Sequence, residues 1–158
     1  MILSNNFITN HFFIEILLSQ EKPSTMSSAY GSYQASFCFD GNLDQVNNFA
    51  HSAEPGNDEW IQVDLENTPF ITRVIIYNRK KEAYFDSRLN TVTIDIADSA
   101  DMTSNKRLCA SFSVVTDLVT QIENLVCSST MVGRYVRLTQ HNDLELHICE
   151  MQVYGFYQ

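Results

Sequence analysis

The chain has 158 residues, 44% of them hydrophobic and 18% charged, which is ordinary for a single globular domain. It carries 19 Asp and Glu against 10 Lys and Arg, a formal net charge of −9. That balance argues against general nucleic-acid binding and against docking on anionic lipid, because both need a basic face. No apolar run approaches the roughly 20 residues that cross a membrane, so membrane insertion is not expected.

The N-terminal region contains a short apolar run, HFFIEILL, which Glu15 interrupts. No basic region precedes the run and no clear cleavage site follows it, so it is a poor signal peptide. We interpret residues 1–16 as an N-terminal extension or the start of a fragment, with a strand or loop packed on the domain as the alternative. The domain itself is predicted over residues 17–158.

The next feature is the loop DGNLDQVNN, which places Asp40, Asn42, Asp44 and Asn48 close together around a glycine. Side-chain and backbone oxygens crowded into a short loop are the ligands that Ca²⁺ prefers, although this spacing is not that of an EF-hand. The same residues also suit a solvated Asx turn. The loop alone leaves the calcium site and the turn as alternatives.

Short segments with the two-residue period of strands follow, and turn-forming clusters separate them. The alternation is clear in TVTIDIA, where Val92, Ile94 and Ile96 share one face. Helical periodicity is nearly absent, so the pattern favours an all-β sandwich or jelly roll over an α/β fold. The predicted strands are residues 60–65, 70–78, 91–97, 134–139 and 147–155.

The loop YNRKKEAYFDSRLN, between two predicted strands, holds four of the ten Lys and Arg. The guanidinium groups of Arg79 and Arg88 can each donate to two vicinal hydroxyls of a neutral sugar, and His51 can add a further hydrogen bond. Tyr84 and Phe85 lie between the two arginines and can pack on the apolar face of a sugar ring. Surface salt bridging with the many acidic residues is the alternative.

The four cysteines are Cys38, Cys109, Cys127 and Cys149, and none belongs to a C-x-x-C pair that would indicate zinc. Their number fits two disulfides or four buried thiols. Cys109 and Cys127 bracket a segment that reads as a strand and its return, which favours a bridge between them. Common enzyme motifs such as G-x-S-x-G and H-E-x-x-H are missing, so we expect a non-catalytic binding protein.

Taken together, several segments resemble the discoidin-type domains of coagulation factors, and most closely the F-type lectin (fucolectin) branch. These segments are ASFCFDGNLD, FAHSAEPGNDEWIQVDLE, VIIYNRK, SRLNTVTIDIADS and GRYVRLTQHNDLELHICEMQVYG. The resemblance spans roughly residues 17–155, nearly the whole chain. It implies an eight-stranded antiparallel jelly-roll β-sandwich with a binding site in loops at one end.

The fucolectin signature of a His, then R-x-D, then a basic residue corresponds here to His51, Arg79 and Arg88. Lys81 replaces the Asp of R-x-D and is included among the candidate ligand-binding residues. The resemblance implies binding of fucose or a related glycan, with Tyr84 or Phe85 as the hydrophobic contact.

The resemblance also implies a calcium site that ties the first loop to the last strand and stabilises the fold by binding only to the folded state. The positions that correspond to the family's ligands are the side chains of Asp40, Asn42 and Glu150, with the carbonyls of Phe37, Asn48 and Cys149.

The resemblance implies one disulfide, and a second is expected from the positions of the two remaining cysteines. Cys109 and Cys127 correspond to a bridge of the family, whereas the usual partner position of Cys149 is occupied by Phe49. Because Cys38 and Cys149 lie beside the two acidic calcium ligands, a Cys38–Cys149 bridge is expected as a replacement. Bridges and family together imply an extracellular protein.

These features predict a calcium-stabilised, non-catalytic lectin whose partners are glycans. Single sites of this kind bind weakly, so a homo-oligomer or a larger parent protein is expected. Two alternatives stay open: a discoidin-type adhesion module for protein, acidic glycan or lipid, using Lys80 and Lys81, and an auxiliary binding domain of a larger enzyme.

Overall fold

The computed structural model describes residues 13–53, 55–56, 58–80, 88–113 and 122–158. Within these ranges almost all regular structure is β, and the single helix is a 3₁₀ turn, Ala35–Cys38. The strands are β1 Ile16–Leu17, β2 Ser24–Met26, β3 Ala50–His51, β4 Glu59–Asp64, β5 Phe70–Asn78, β6 Thr91–Ala97, β7 Arg107–Ser113, β8 Ile122–Val132, β9 Tyr135–Gln140 and β10 His147–Phe156. The described part of the chain contains no helix of sufficient length and apolarity to cross a membrane.

Two antiparallel sheets pack face to face. The first sheet has the order β1-β10-β5-β8, with β3 also paired to β10, and the second has the order β2-β4-β9-β6-β7. Alternate residues of both sheets meet in one core, where Ile61, Ile94 and Leu138 of the second sheet and Ile76 and Met151 of the first are fully buried. The period-2 pattern of the sequence therefore produces the sandwich, because it gives each sheet one apolar face.

The predicted all-β antiparallel sandwich is confirmed. Eight of the ten described strands have three residues or more, and the two-residue strands β1 and β3 add to them. Residues 13–16 of the predicted extension lie against this sandwich: Ile16 pairs with Gly155, and Glu15 accepts hydrogen bonds from Thr72 and Arg73.

The register around β10 brings distant parts of the chain to one end of the sandwich. His147 is opposite His51 of β3, and Ile148 is opposite both Ala50 and Asn78, the last residue of β5. The pairing with β5 shifts between Ile148 and Glu150. Irregularities of this kind redirect side chains, and they are common next to functional sites.

The predicted Cys109–Cys127 disulfide is confirmed. It joins β7, an edge strand of the second sheet, to β8, an edge strand of the first, and its Cα atoms are 4.3 Å apart. The bridge therefore connects the two sheets along one side of the sandwich.

The predicted Cys38–Cys149 disulfide is wrong, because both cysteines are buried free thiols. The Sγ of Cys38 donates a hydrogen bond to the carbonyl of Ile148, 3.2 Å away, and so points at the backbone rather than at the other sulfur. Burial raises the pKa of Cys149 to about 12 and that of Cys38 well above its ordinary value, so both thiols stay protonated.

Replacing both Cys109 and Cys127 with Ser should lower the free energy of unfolding by about 3 kcal/mol, because the bridge closes a loop of 18 residues. Urea denaturation followed by circular dichroism measures the change. Reductant should bring the wild-type curve towards that of the double variant and leave the variant unchanged. Coincident curves for wild type and variant would contradict the stabilising role.

Candidate functional site

Two histidines form the centre of the candidate site at the end of β3 and the start of β10. Their rings meet edge to face with centroids 4.0 Å apart, and His147 is only 1% exposed whereas His51 is half-buried. Nη1 of Arg88 lies 3.1 Å from Nε2 of His147 and 2.9 Å from a carboxylate oxygen of Glu145. Since a guanidinium group only donates, Nε2 of His147 accepts, and the neutral ring carries its proton on Nδ1.

Burial and neighbouring positive charge keep both rings neutral. The pKa of His147 falls to about 2, first because the ring is buried and then because His51, Arg88 and Arg79 lie close to it. The pKa of His51 is also lowered, chiefly by burial and next by Arg88. A neutral imidazole can both donate and accept, which is what recognition of a hydroxyl group requires.

Aromatic rings support the second arginine. The Cζ atom of Arg79 lies 3.8 Å from the ring centre of Phe49, and the Phe49 ring stacks on Tyr33 with centroids 4.7 Å apart. The Tyr30 ring lies beside that of His51, with ring centroids 5.0 Å apart, and 57% of Tyr30 is exposed. Backbone hydrogen bonds from Tyr30 N–H to His51 and from His51 N–H to Tyr33 fasten this aromatic loop to β3.

The structure thus brings three of the predicted sugar-binding residues together: His51, Arg79 and Arg88. The three others, Lys81, Tyr84 and Phe85, lie outside the described residues. Sequence reasoning did not single out His147, Glu145, Phe49 or Tyr30 as site residues. His147 carried one usable signal, since it opens a predicted strand directly after a turn-forming segment, but its pairing with His51 depends on register.

A second cluster surrounds the predicted calcium loop. The side-chain N–H groups of Asn48 donate to both carboxylate oxygens of Asp40, at 3.0 and 3.2 Å, and to the carbonyl of Phe37 at 3.4 Å. The backbone N–H of Asn42 donates to the carboxylate of Asp40, and the backbone N–H of Asp44 donates to the side-chain oxygen of Asn42, so Asx turns are present.

Glu150 faces this loop from β10 and has no exposed surface. Neither of its carboxylate oxygens accepts a hydrogen bond of good geometry from the described residues. Its pKa rises to about 8, mainly through burial and then through the negative charge of Asp40, while the nearby N–H of Gly41 offsets part of the shift. An unpartnered buried carboxyl beside a second carboxylate is costly without a cation.

The donor set therefore fits a hard cation such as Ca²⁺, which is bound by carboxylate, amide and carbonyl oxygens. No group of three or more His, Cys, Asp or Glu is placed to hold a metal among the residues described. Among the described residues, Asp40 and Glu150 are the carboxylates that face each other here, so further ligands would be amide oxygens, backbone oxygens or water.

The two packed sheets, with the histidine–arginine cluster at one end of the sandwich, define a discoidin-like domain. Carbohydrate-binding modules have the same fold. Residues 37–138 match the F5/F8 type C family described as NedA-like, galactose-binding domain. The chain belongs to this family, and the resemblance to discoidin-type domains is confirmed. No curated protein sequence matches the chain.

Solved structures of carbohydrate-binding proteins share the fold. A fucolectin from striped bass (Morone saxatilis) serum is 28% identical with a TM-score of 0.76, over 89% of this chain and 47% of that one, so the chain spans about half of its length. The Streptococcus pneumoniae fucose-binding module SpX-3 is 21% identical with a TM-score of 0.73, over 89% and 98% of the two chains. The family 32 module of Clostridium perfringens NanJ, solved with galactose, is 17% identical with a TM-score of 0.73, over 90% and 100%.

Replacing His147 with Gln should make the protein less sensitive to acid. The ring has a pKa of about 2 in the folded protein against an ordinary value of 6.5, so below pH 6.5 the unfolded chain binds the extra proton. The stability that the neutral ring contributes is complete above that pH and falls by up to about 1.4 kcal/mol per pH unit below it.

The measurement is urea unfolding of wild type and variant at intervals from pH 8 to roughly pH 4.5. The difference between the two unfolding free energies should change with pH in this window, because other groups contribute equally to both proteins. A difference that stays constant over the whole window would contradict the assignment.

Proposed function

We propose that this domain is a non-catalytic lectin that binds fucose or a related neutral sugar at the end of the sandwich. The observation that carries the proposal is the convergence of His51, from β3, with Arg79 and Arg88, from the loop between β5 and β6. Relatives support the sugar class, since the bass protein is named a fucolectin, SpX-3 a fucose-binding module, and the NanJ module was solved with galactose.

The hydrogen-bond donors are held in place before a ligand arrives. Glu145 and His147 fix the guanidinium group of Arg88, and the Phe49 ring supports that of Arg79. Both arginines are at least nine-tenths buried, so few side-chain rotamers are lost on binding. Donors arranged in this way can grip vicinal hydroxyls at low entropic cost.

The apolar face of the sugar needs an aromatic contact as well. Among the described residues, Tyr30 is the exposed aromatic next to His51, at 5.0 Å between ring centroids. We therefore add Tyr30 to the two aromatic residues that the sequence suggested, Tyr84 and Phe85.

Ca²⁺ is the second part of the proposal. Asp40 and Glu150 would supply its carboxylate oxygens, and the buried, unpartnered Glu150 is the observation that supports an ion here. The remaining ligands would be oxygens of Phe37, Asn42, Asn48 and Cys149. The bound ion would neutralise the two carboxylates and tie the first loop to β10.

The disulfide between β7 and β8 supports an extracellular location, where such bridges persist. Because one sugar site binds weakly, we also propose that several copies act together, either in a homo-oligomer or within a longer protein. Lys80, exposed beside Arg79, favours an acidic glycan as the second candidate ligand.

Changing Arg79 to Lys should weaken binding of L-fucose and fucosylated glycans at least tenfold, because the ammonium group cannot reproduce the two-pronged donor geometry. Isothermal titration calorimetry and a glycan array measure this, and the melting temperature should stay nearly unchanged. Arg107→Lys, at the half-buried first residue of β7 and outside the site, is the matched control. Equal sugar binding by Arg79→Lys and wild type would refute the site.

The salt dependence of the same titration separates the two candidate ligands. Salt has little effect on hydrogen bonds to a neutral sugar. The affinity of the wild type should therefore stay nearly constant when the ionic strength rises from 0.05 to about 0.5 M. Binding that collapses over this range would select the acidic glycan and Lys80 instead.

Changing Glu150 to Gln should abolish stabilisation by calcium without unfolding the domain. In chelator, the variant should melt at or above the wild-type temperature, because it no longer buries an ionisable carboxyl. Added Ca²⁺ should raise the melting temperature of the wild type only. Asp44→Asn, in the same loop, serves as the control and should still respond. A calcium response retained by Glu150→Gln would exclude this ligand assignment.

A further inference from the structure

The outer face of the second sheet carries a groove that plays no part in the site described above. Trp60, Thr139 and Thr93 lie opposite one another on β4, β9 and β6. Their neighbours along these strands, Ile61, Leu138 and Ile94, are fully buried in the core, so this row faces away from the core. The groove beside it has a volume of about 500 Å³, which is within the range of ligand sites.

The groove combines an aromatic ring with an exposed aliphatic side chain. Trp60 lines it and contacts Arg137, whose Cζ lies 4.0 Å from the ring centre. Leu108 lines it as well, and 51% of this residue is exposed. Trp and Leu surfaces of this kind can contact the C–H faces of sugar rings.

The polar groups of the groove are held in fixed positions. His141 bonds to Asp58 through Nδ1 and to the hydroxyl of Thr93 through Nε2, the latter at 2.9 Å. Arg137 donates from Nε to the side-chain oxygen of Gln62 at 2.9 Å and from Nη2 to the carbonyl of Ala100 at 3.1 Å. Because these bonds already orient the side chains, a ligand would not have to order them.

The charges that line the groove cancel. Asp58 and Asp95 stand against Lys106 and Arg137, and Lys106 pairs with Asp95 at 3.2 Å. A strongly charged ligand would meet one repelling group for each attracting one. A neutral ligand rich in hydroxyl groups suits this lining, because each hydroxyl can both donate and accept.

A smaller depression of about 220 Å³ continues the same face and is lined by Gln62, Ala100 and Tyr135. The hydrogen bonds from Arg137 to Gln62 and Ala100 lie between the two depressions. Tyr135 is four residues along β9 from Thr139, the partner of Trp60, which corresponds to roughly 14 Å at the rise of an antiparallel strand. A ligand that reaches both aromatic residues must be longer than one sugar ring.

We propose that this face is a second carbohydrate-binding site, which accommodates a linear neutral oligosaccharide across β4, β9 and β6. One ring contacts Trp60 and Leu108, and a later ring of the same chain lies near Tyr135. The site uses none of the residues of the proposed fucose site, so the two can be tested separately.

Trp60 is the single tryptophan of the chain, so intrinsic fluorescence reports on this groove directly. The protein is titrated separately with cellohexaose, mannohexaose and xylohexaose. At least one should give a saturable change in emission, and the Arg79→Lys variant should give the same change. No saturable response to any of the three would overturn the proposal, as would a response confined to sulfated heparin hexasaccharide.

Two variants test the contacts by calorimetry with the responding hexasaccharide. Trp60→Ala should weaken binding at least tenfold, and Trp60→Tyr, which keeps an aromatic ring, should largely restore it. Leu108→Glu changes an exposed side chain and should weaken binding without affecting folding. Unchanged hexasaccharide affinity in Leu108→Glu would overturn the proposal even if Trp60→Ala failed to fold, and L-fucose binding should persist in Leu108→Glu.

Discussion

The pairing of β10 with β3 and β5 is the constraint on which both candidate sites of the loop end depend. β10 places His147 against His51, and it places Glu150 opposite the acidic loop. Each cluster combines residues of β10 with residues from another segment, so no single segment forms a site by itself. The same strand also sits at the centre of the first sheet, so the geometry of the sites is as rigid as the core beneath them.

Most of the fold follows from local patterns. The limits predicted for residues 70–78 and 91–97 agree with β5 and β6, because β5 is rich in β-branched and apolar residues and β6 alternates apolar and polar ones. The grouping of His51 with the two arginines was suggested by their hydrogen-bonding chemistry, with surface salt bridging as the alternative, and the family signature then favoured it. The contribution of His147 was not anticipated. It depends on His147 lying opposite His51 in the sheet, and the periodicity of a sequence does not specify the register between two strands.

The two cysteine pairs show where sequence reasoning stops. Bracketing of a strand and its return correctly paired Cys109 with Cys127. Cys38 and Cys149 were paired because each lies beside an acidic residue predicted to bind the same calcium ion. In the structure, however, the thiol of Cys38 donates to the carbonyl of Ile148. A disulfide needs the right direction of two Cβ–Sγ bonds as well as proximity, and direction is decided by packing.

The order of the strands has a consequence for biosynthesis. β10 is the last strand of the domain in the sequence, and it bonds to β1, β3 and β5. Before the ribosome has added the residues after Gln140, the first sheet lacks its centre, and Glu145, His147 and Glu150 are not yet part of the chain. Nascent chains therefore emerge with both candidate clusters incomplete, and the first sheet can close only once the final strand has cleared the exit tunnel.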